Sequence, residues 1–296
     1  MASDLVIRAL SLEDLDAAFD LSTAIGWNQR RNDWRMLLQL APAGAFAAIV
    51  EARLIGTSIG IDYGGFGWIA MMLVDPAYRG RGVGRRLLEA AIDAVPSHLR
   101  IRLDATPLGR PLYQQYGFQD EAALSRHVRD QSDPEPVRTS QSLADNGSVR
   151  PLATSDLPLV VEQDRQTFGG TRAAVLEWAL REAPDYAYVV PASDGSINYC
   201  LGRHGRQFDQ IGPVVASDEN IARTLLHAAL VAASGRPVVV DAFDEYAWFS
   251  TALTRAGFVV QRPLVRMCRT ARSDAHEAVV RESNAREFAI LGPEFA

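Results

Sequence analysis

A continuously apolar run, Trp68 to Val74, stops at Asp75-Pro76, which predicts a strand buried on both faces and ended by the proline. Beyond a short polar stretch, Val83, Leu87, Leu88, Ala91, Ile92 and Val95 recur at helical spacing, with Arg85, Arg86, Glu89 and Asp93 on the opposite side. Upstream, Leu5 to Ala9 predicts a first strand, and Ser11-Leu-Glu-Asp a capped helix with Leu12, Leu15, Phe19 and Leu21 as its apolar positions. A polar segment, Gly26 to Trp34, leads into a short helix around Arg35 to Leu40. Its two tryptophans, Trp27 and Trp34, either line a pocket or anchor the segment on the core. Ala45 to Glu51 and Leu54 to Asp62 read as a hairpin. Downstream, Leu99 to Ala105 alternates as a strand and Thr106-Pro107 breaks it. Pro111 to Tyr116 suits a short helix, capped by Gly117 before Phe118 opens another strand.

The second half repeats this pattern. Val149-Arg-Pro-Leu152 with Ser155-Asp-Leu157 echoes Ile7-Arg-Ala-Leu10 with Glu13-Asp-Leu15, a shift of 142 (157 minus 15). Ile221, Leu225, Leu226, Ala229 and Leu230 reproduce the stripe of Val83, Leu87, Leu88, Ala91 and Ile92 at a shift of 138 (221 minus 83). Gly257-Phe258 echoes Gly117-Phe118 at 140 (258 minus 118). Near-constant shifts indicate duplicated architecture with small loop changes. Ser132 to Gly147, rich in Asp, Ser, Pro and Gln, is the linker candidate. The expected division is a first domain over residues 1–136, a linker over 137–147 and a second domain with a C-terminal tail over 148–296.

With 296 residues the chain has material for two cores, and its 48% hydrophobic and 22% charged residues suit a soluble globular protein. The formal charge of -6 argues against a general binder of nucleic acid or anionic membrane. The sequence holds no lysine, so a Walker A phosphate loop and a lysine Schiff base are excluded. Two cysteines, Cys200 and Cys268, are too few for a disulfide framework, though enough for one bridge. The acidic N-terminal segment lacks the apolar core of a signal peptide, and no run approaches membrane length; a cytoplasmic location is expected. Five histidines lack metal-ligand spacing, so no metal is expected.

The chemistry concentrates in Arg79-Gly-Arg-Gly-Val-Gly84, between the buried strand and the amphipathic helix. Glycines let the backbone approach an anion, the first helical turn offers unpaired N–H groups, and the helix dipole and arginines favour negative charge. A strand-to-helix turn with incidental basic residues is the plainer alternative. A dinucleotide fingerprint starting at Gly80 would need glycine where Arg85 stands, and strands rather than alternating strands and helices precede it. In the second half the same positions read Ser217-Asp-Glu-Asn220, which sets two carboxylates where a pyrophosphate would sit, so only the first domain is expected to bind an anionic ligand. Gly56-Thr-Ser-Ile-Gly60 matches the nucleophile-elbow pattern, but Ile-Asp-Tyr-Gly-Gly after the serine cannot sustain the helix that elbow requires.

These residues resemble the GNAT superfamily of acyl-CoA-dependent N-acyltransferases. Its Arg/Gln-x-x-Gly-x-Gly/Ala loop is matched by Arg79, Gly82 and Gly84, and its Leu-Tyr-x-x-x-Gly-Phe signature by Leu112, Tyr113, Gly117 and Phe118. The resemblance implies an α+β fold with a mixed sheet, as two tandem GNAT-like domains of which the second is degenerate. It implies acetyl-CoA as cosubstrate, with pyrophosphate at Arg79, Gly80, Arg81, Gly82, Val83, Gly84 and Arg85 and the pantetheine arm beside Leu73 and Val74. Thr106 stands where the family often has an asparagine, and Tyr113 is the matched general acid. Tyr116 occupies a usually apolar position and is expected to pack in the core. The implied reaction is direct attack on the thioester by the amine of a small molecule or peptide, with neither nucleic acid nor membrane as partner. The strand before the loop carries no carboxylate, which leaves the base open among Asp62, Asp104, an ordered water and, as in some tandem relatives, the carboxylate of Ala296. A CoA-binding sensor or regulatory module without turnover is the alternative.

Overall fold

The computed structural model describes residues 5–130, 149–271 and 285–296; the expected linker, 137–147, lies outside them. Tertiary contacts divide the described chain into two compact units. Unit 1 takes residues 5–103, 108–119 and 267–271, and unit 2 takes 104–107, 120–130, 149–266 and 285–296.

Unit 1 is a twisted sheet with helices packed on it. Its elements are β1 (Val6–Ala9), α1 (Leu15–Ala24), α2 (Arg31–Leu40), β2 (Ala45–Val50), β3 (Arg53–Asp62), β4 (Gly67–Val74), α3 (Val83–Ala94), β5 (Ile101–Ala105, its last two residues grouped with unit 2) and α4 (Arg110–Gln115). The strands lie in chain order; β1 to β4 pair antiparallel and β5 joins β4 in parallel. The apolar stripe of α3 is buried as its spacing requires. The helix lies so close to β3 that a Cβ on Gly60 would stand 2.3 Å from the Ala91 carbonyl oxygen. Between helix and strand, the Ser58 hydroxyl donates to the Leu87 carbonyl at 2.8 Å, so the serine of the elbow-like pattern is a buried stitch and no nucleophile. Trp34 takes the anchoring role: it is fully buried, and its Nε1–H donates to the Ser22 hydroxyl at 3.1 Å. Leu12, expected on the buried face of the first helix, lies in a 3-10 turn ahead of α1 and is exposed.

Unit 2 repeats the plan. It contains β6 (Gln119–Arg129, from Asp120), β7 (Arg150–Pro151), α5 (Leu157–Phe168), α6 (Ala173–Glu182), β8 (Tyr188–Pro191), β9 (Ile197–Arg203), β10 (Asp209–Ala216), α7 (Glu219–Ala232), β11 (Val238–Phe243), α8 (Ala247–Arg255) and β13 (Arg286–Ile290), with β12 (Val259–Arg269) passing into unit 1 at Met267. The strand order is β6-β11-β13-β10-β9-β8-β7. The units are therefore not the two halves of the sequence. β6, which local sequence attaches to the first repeat, runs antiparallel to β11, from Val238↔Arg129 to Phe243↔Leu124. The Arg126 guanidinium fixes this register with two 2.7 Å bonds to the buried Asp241 carboxylate.

Candidate active site

β4 and β5 are paired only at their start, Gly67↔Ile101 and Trp68↔Arg102. β4 then runs on to Val74, and among the described residues no strand pairs with its far end on the β5 side, which leaves backbone groups of the kind that can take an extended partner. A bulge opposite Thr57 and Ile59 accompanies this divergence, with Met71 held at φ +51° while the Thr57 hydroxyl donates to its carbonyl at 2.8 Å. Such a conformation is uncommon for a side-chain-bearing residue. Methionine gives no sequence signal for it, and neither Thr57 nor Met71 was foreseen as part of the site.

The chain leaves β4 through Asp75, whose carboxylate accepts from the Ala77 N–H at 2.9 Å and from Arg53 at 2.7 Å. That pairing offsets the one acidic group at the strand end, and it too was invisible in the local pattern. The turn follows. Gly80 and Gly82 sit at φ +74° and +79°, where a side chain would be strained, and Gly82 is the N-cap of α3. The Arg86 N–H bonds the Gly82 carbonyl at 3.2 Å, which leaves the N–H groups of Val83, Gly84 and Arg85 ahead of the helical ladder. Arg79, Arg81 and Arg85 are exposed around the turn. The Arg79 Nε–H donates to the Val74 carbonyl at 3.1 Å, and the Arg81 guanidinium lies over the Tyr78 ring at 5.4 Å. Donor N–H groups, a helix N-terminus and three exposed arginines are the kinds of group that can hold a phosphorylated ligand.

α4 reaches the same place. A Cβ on Gly84 would touch Leu112 at 3.6 Å and Val74 at 3.7 Å, so the end of β4, the start of α3 and the residue before Tyr113 meet there. These are ordinary contacts, so an alanine would fit at this position. Tyr113 is buried, packs edge-on against Phe118 at 6.0 Å between ring centres, and its hydroxyl bonds none of the described residues. Burial pushes its phenol above the ordinary tyrosine value, so the group holds its proton. Tyr116 departs from expectation: it is only half-buried, and its hydroxyl donates to Glu89 on α3 at 2.5 Å. The structure thus brings Val74, Gly84 of the turn and Leu112, the residue before Tyr113, together in unit 1. Thr106 is half-buried and grouped with unit 2.

The base candidates fare differently. Asp62 is exposed, and its carboxylate caps the Gly64 N–H at 2.7 Å. The Asp104 side chain is closed off from solvent and gripped by Arg266 at 2.9 and 3.0 Å. The Ala296 carbonyl oxygen accepts from the buried Arg172 in unit 2. Among the described residues both cysteines are free thiols, and no helix is long and apolar enough to cross a membrane.

Comparison with known proteins gives the same reading of the scaffold. Residues 42–120 and 160–279 each match an acetyltransferase (GNAT) domain family. The uncharacterized N-acetyltransferase YitH of Bacillus subtilis (strain 168) is 27% identical over 191 residues, 64% of this chain and 65% of that protein, so the match spans just under two thirds of the relative's length. Among solved structures, a Pyrococcus horikoshii protein assigned as an acetyltransferase superposes with a TM-score of 0.74 at 22% identity, over 98% of this chain and 95% of its own. A tandem GNAT protein from the clavulanic acid biosynthesis pathway gives 0.62 at 16% identity, over 92% and 100%. At these identities the structural likeness is one of fold. With a GNAT domain matched in each half and more than half of the sequence inside the two matches, the chain belongs to the GNAT family and carries its acyl-CoA N-acyltransferase fold twice in tandem.

Proposed function

We propose that unit 1 is an N-acetyltransferase that uses acetyl-CoA and passes the acetyl group directly to the amine of a small molecule or peptide held beside it. The observation that carries this reading is the divergence of β4 from β5 next to a glycine turn and a free helix N-terminus. The residues fit the cosubstrate: the N–H groups of Val83, Gly84 and Arg85 and the open backbone of Gly80 and Gly82 suit a pyrophosphate, with Arg79, Arg81 and Arg85 offsetting its charge. The free edge at Leu73 and Val74 suits an extended amide-bearing arm. When bound, acetyl-CoA supplies an activated acyl group on a thioester. Tyr113 retains a transferable proton across the neutral range because burial disfavours its phenolate, and a thiolate leaving as the new C–N bond forms is a suitable recipient.

The test is release of free CoA, followed with a thiol reagent across a panel of amines, alongside calorimetric titration with acetyl-CoA. Tyr113→Phe is expected to lower turnover by about 100-fold, at the lower end of general acid–base effects, with acetyl-CoA affinity retained. Unchanged turnover would remove Tyr113 from the mechanism. Binding without CoA release for any amine would instead favour a CoA-binding module without turnover, and absence of binding would overturn the reading altogether.

A further inference from the structure

Unit 2 contains the same divergence, and it is filled. β10, eight residues long like β4, pairs in parallel with β11 only at Asp209↔Val238 and Gln210↔Val239. Beyond that point β13 enters between them. It runs antiparallel to β10, at Val214↔Ala289, Val215↔Glu287 and Ala216↔Arg286, and antiparallel to β11, at Asp241↔Ile290 and Ala242↔Ala289. Val215 and Ala216 are the last two residues of β10, as Leu73 and Val74 are of β4. Among the described residues no strand pairs with the end of β4 on this side, where the Val74 carbonyl accepts from the Arg79 side chain, whereas in unit 2 a strand of the chain itself pairs with the corresponding positions.

The adjoining turn is filled as well. Four residues, Ser217 to Asn220, separate Ala216 from Ile221, where eight separate Val74 from Val83. Asp218 is the N-cap of α7, and its carboxylate accepts from the N–H groups of Asn220 and Ile221 at 2.8 and 3.0 Å. An internal carboxylate thus caps this helix N-terminus, whereas in unit 1 the N-cap of α3 is Gly82, which has no side chain to do so.

Residues around the slot are adapted to the inserted strand. A Cβ on Gly212 would lie 2.0 Å from the Ile290 carbonyl oxygen, so only glycine permits this approach. The buried Arg203 binds the Leu291 carbonyl and pairs with Glu294. The buried Arg172 is held by Asp164 at 2.9 Å, pairs with Glu287 at 2.8 Å and donates to the Ala296 carbonyl. Phe288, Ile290, Leu291 and Phe295 are all buried.

We propose that β13 and Asp218 are built-in substitutes for a cosubstrate in unit 2: the strand takes the place of the extended arm, the aspartate that of the pyrophosphate, and unit 2 is closed to acyl-CoA. This rests on the reading of unit 1 given above for the meaning of the slot, while the occupancy by β13 stands on its own.

Hydrogen exchange followed by mass spectrometry on the full chain, with and without saturating acetyl-CoA, tests both parts. Acetyl-CoA is expected to slow exchange at least about tenfold over Leu73–Arg86 and to leave Val215–Ile221 unchanged. Slowed exchange at Val215–Ile221 would overturn the proposal, because the slot would then admit the ligand. In the absence of ligand the amides of β13 are expected to exchange as slowly as those of β9, and exchange at the rate of a free peptide would overturn the occupancy. No protection at Leu73–Arg86 together with slow β13 exchange would refute the function proposed for unit 1 while upholding the filled slot.

Discussion

Asp104 stands nine residues before the matched acid and reads as a candidate base, yet Arg266 bonds both of its oxygens and its side chain has no access to water. Burial disfavours both charges, and each is tolerable only through the other. Asp104→Asn is accordingly expected to cost about 3–5 kcal/mol by stranding the Arg266 guanidinium, measured as a lowered urea midpoint. Asp104→Leu combined with Arg266→Met should recover most of that loss. Tyr113 shows the opposite use of burial, since its environment offers no charge and keeps the phenol protonated. The alkaline fall in turnover assigned to Tyr113 is therefore expected above pH ~10, the ordinary tyrosine value, and to be absent from the residual activity of Tyr113→Phe. Tyr113 and the glycines could be singled out because the signatures that contain them fix residue type and spacing. The burial of Asp104 could not be read, because its partner lies 162 residues away.

At the scale of elements, the repeat seen in the sequence has a physical counterpart. Arg8 on β1 grips Asp14 with two 2.7 Å bonds, and Arg150 on β7 grips Asp156 at 2.6 and 2.8 Å. Each aspartate also accepts from the backbone N–H three residues before it, Ser11 or Ala153, at 3.0 or 2.9 Å. One clamp thus ties strand to helix in both units. The arginine bonds hold both aspartates below the usual carboxylate range. Their stabilisation is present above the unfolded value near pH 4 and is lost as the pH falls through the lower folded values. Asp14→Asn is expected to lose at most about 1 kcal/mol at pH 7, since the pair is partly exposed, and to have a flatter stability profile below pH 4, measured by urea titration. Most elements of unit 1 followed from periodicity with ends shifted by a residue or two, but α2 begins at Arg31, four residues before the expected start, and α1 at Leu15, three after Leu12. The pairing of β6 with β11 and the entry of β13 between β10 and β11 did not follow, because alternation specifies a strand's faces and not its neighbour.

For the whole molecule, duplication has kept the scaffold and varied one place in it: in unit 1 no strand of the described residues pairs with the end of β4 beside β5, whereas in unit 2 β13 pairs with the end of β10 and Asp218 caps α7. The two units also share chain. β6 arises in the first repeat and belongs to unit 2, while residues 267–271 arise in the second and belong to unit 1. A fragment ending at Gly147 would carry β6 without β11, exposing a long unpaired edge. It is expected to aggregate or self-associate, as read by size-exclusion chromatography, and a well-behaved, fully active monomer would contradict this. The same exchange sets the order of events during synthesis. Unit 2 takes a strand made early and unit 1 a segment made late, so as the chain emerges from the ribosome neither unit can be completed from its own repeat, and unit 1 waits for residues 267–271.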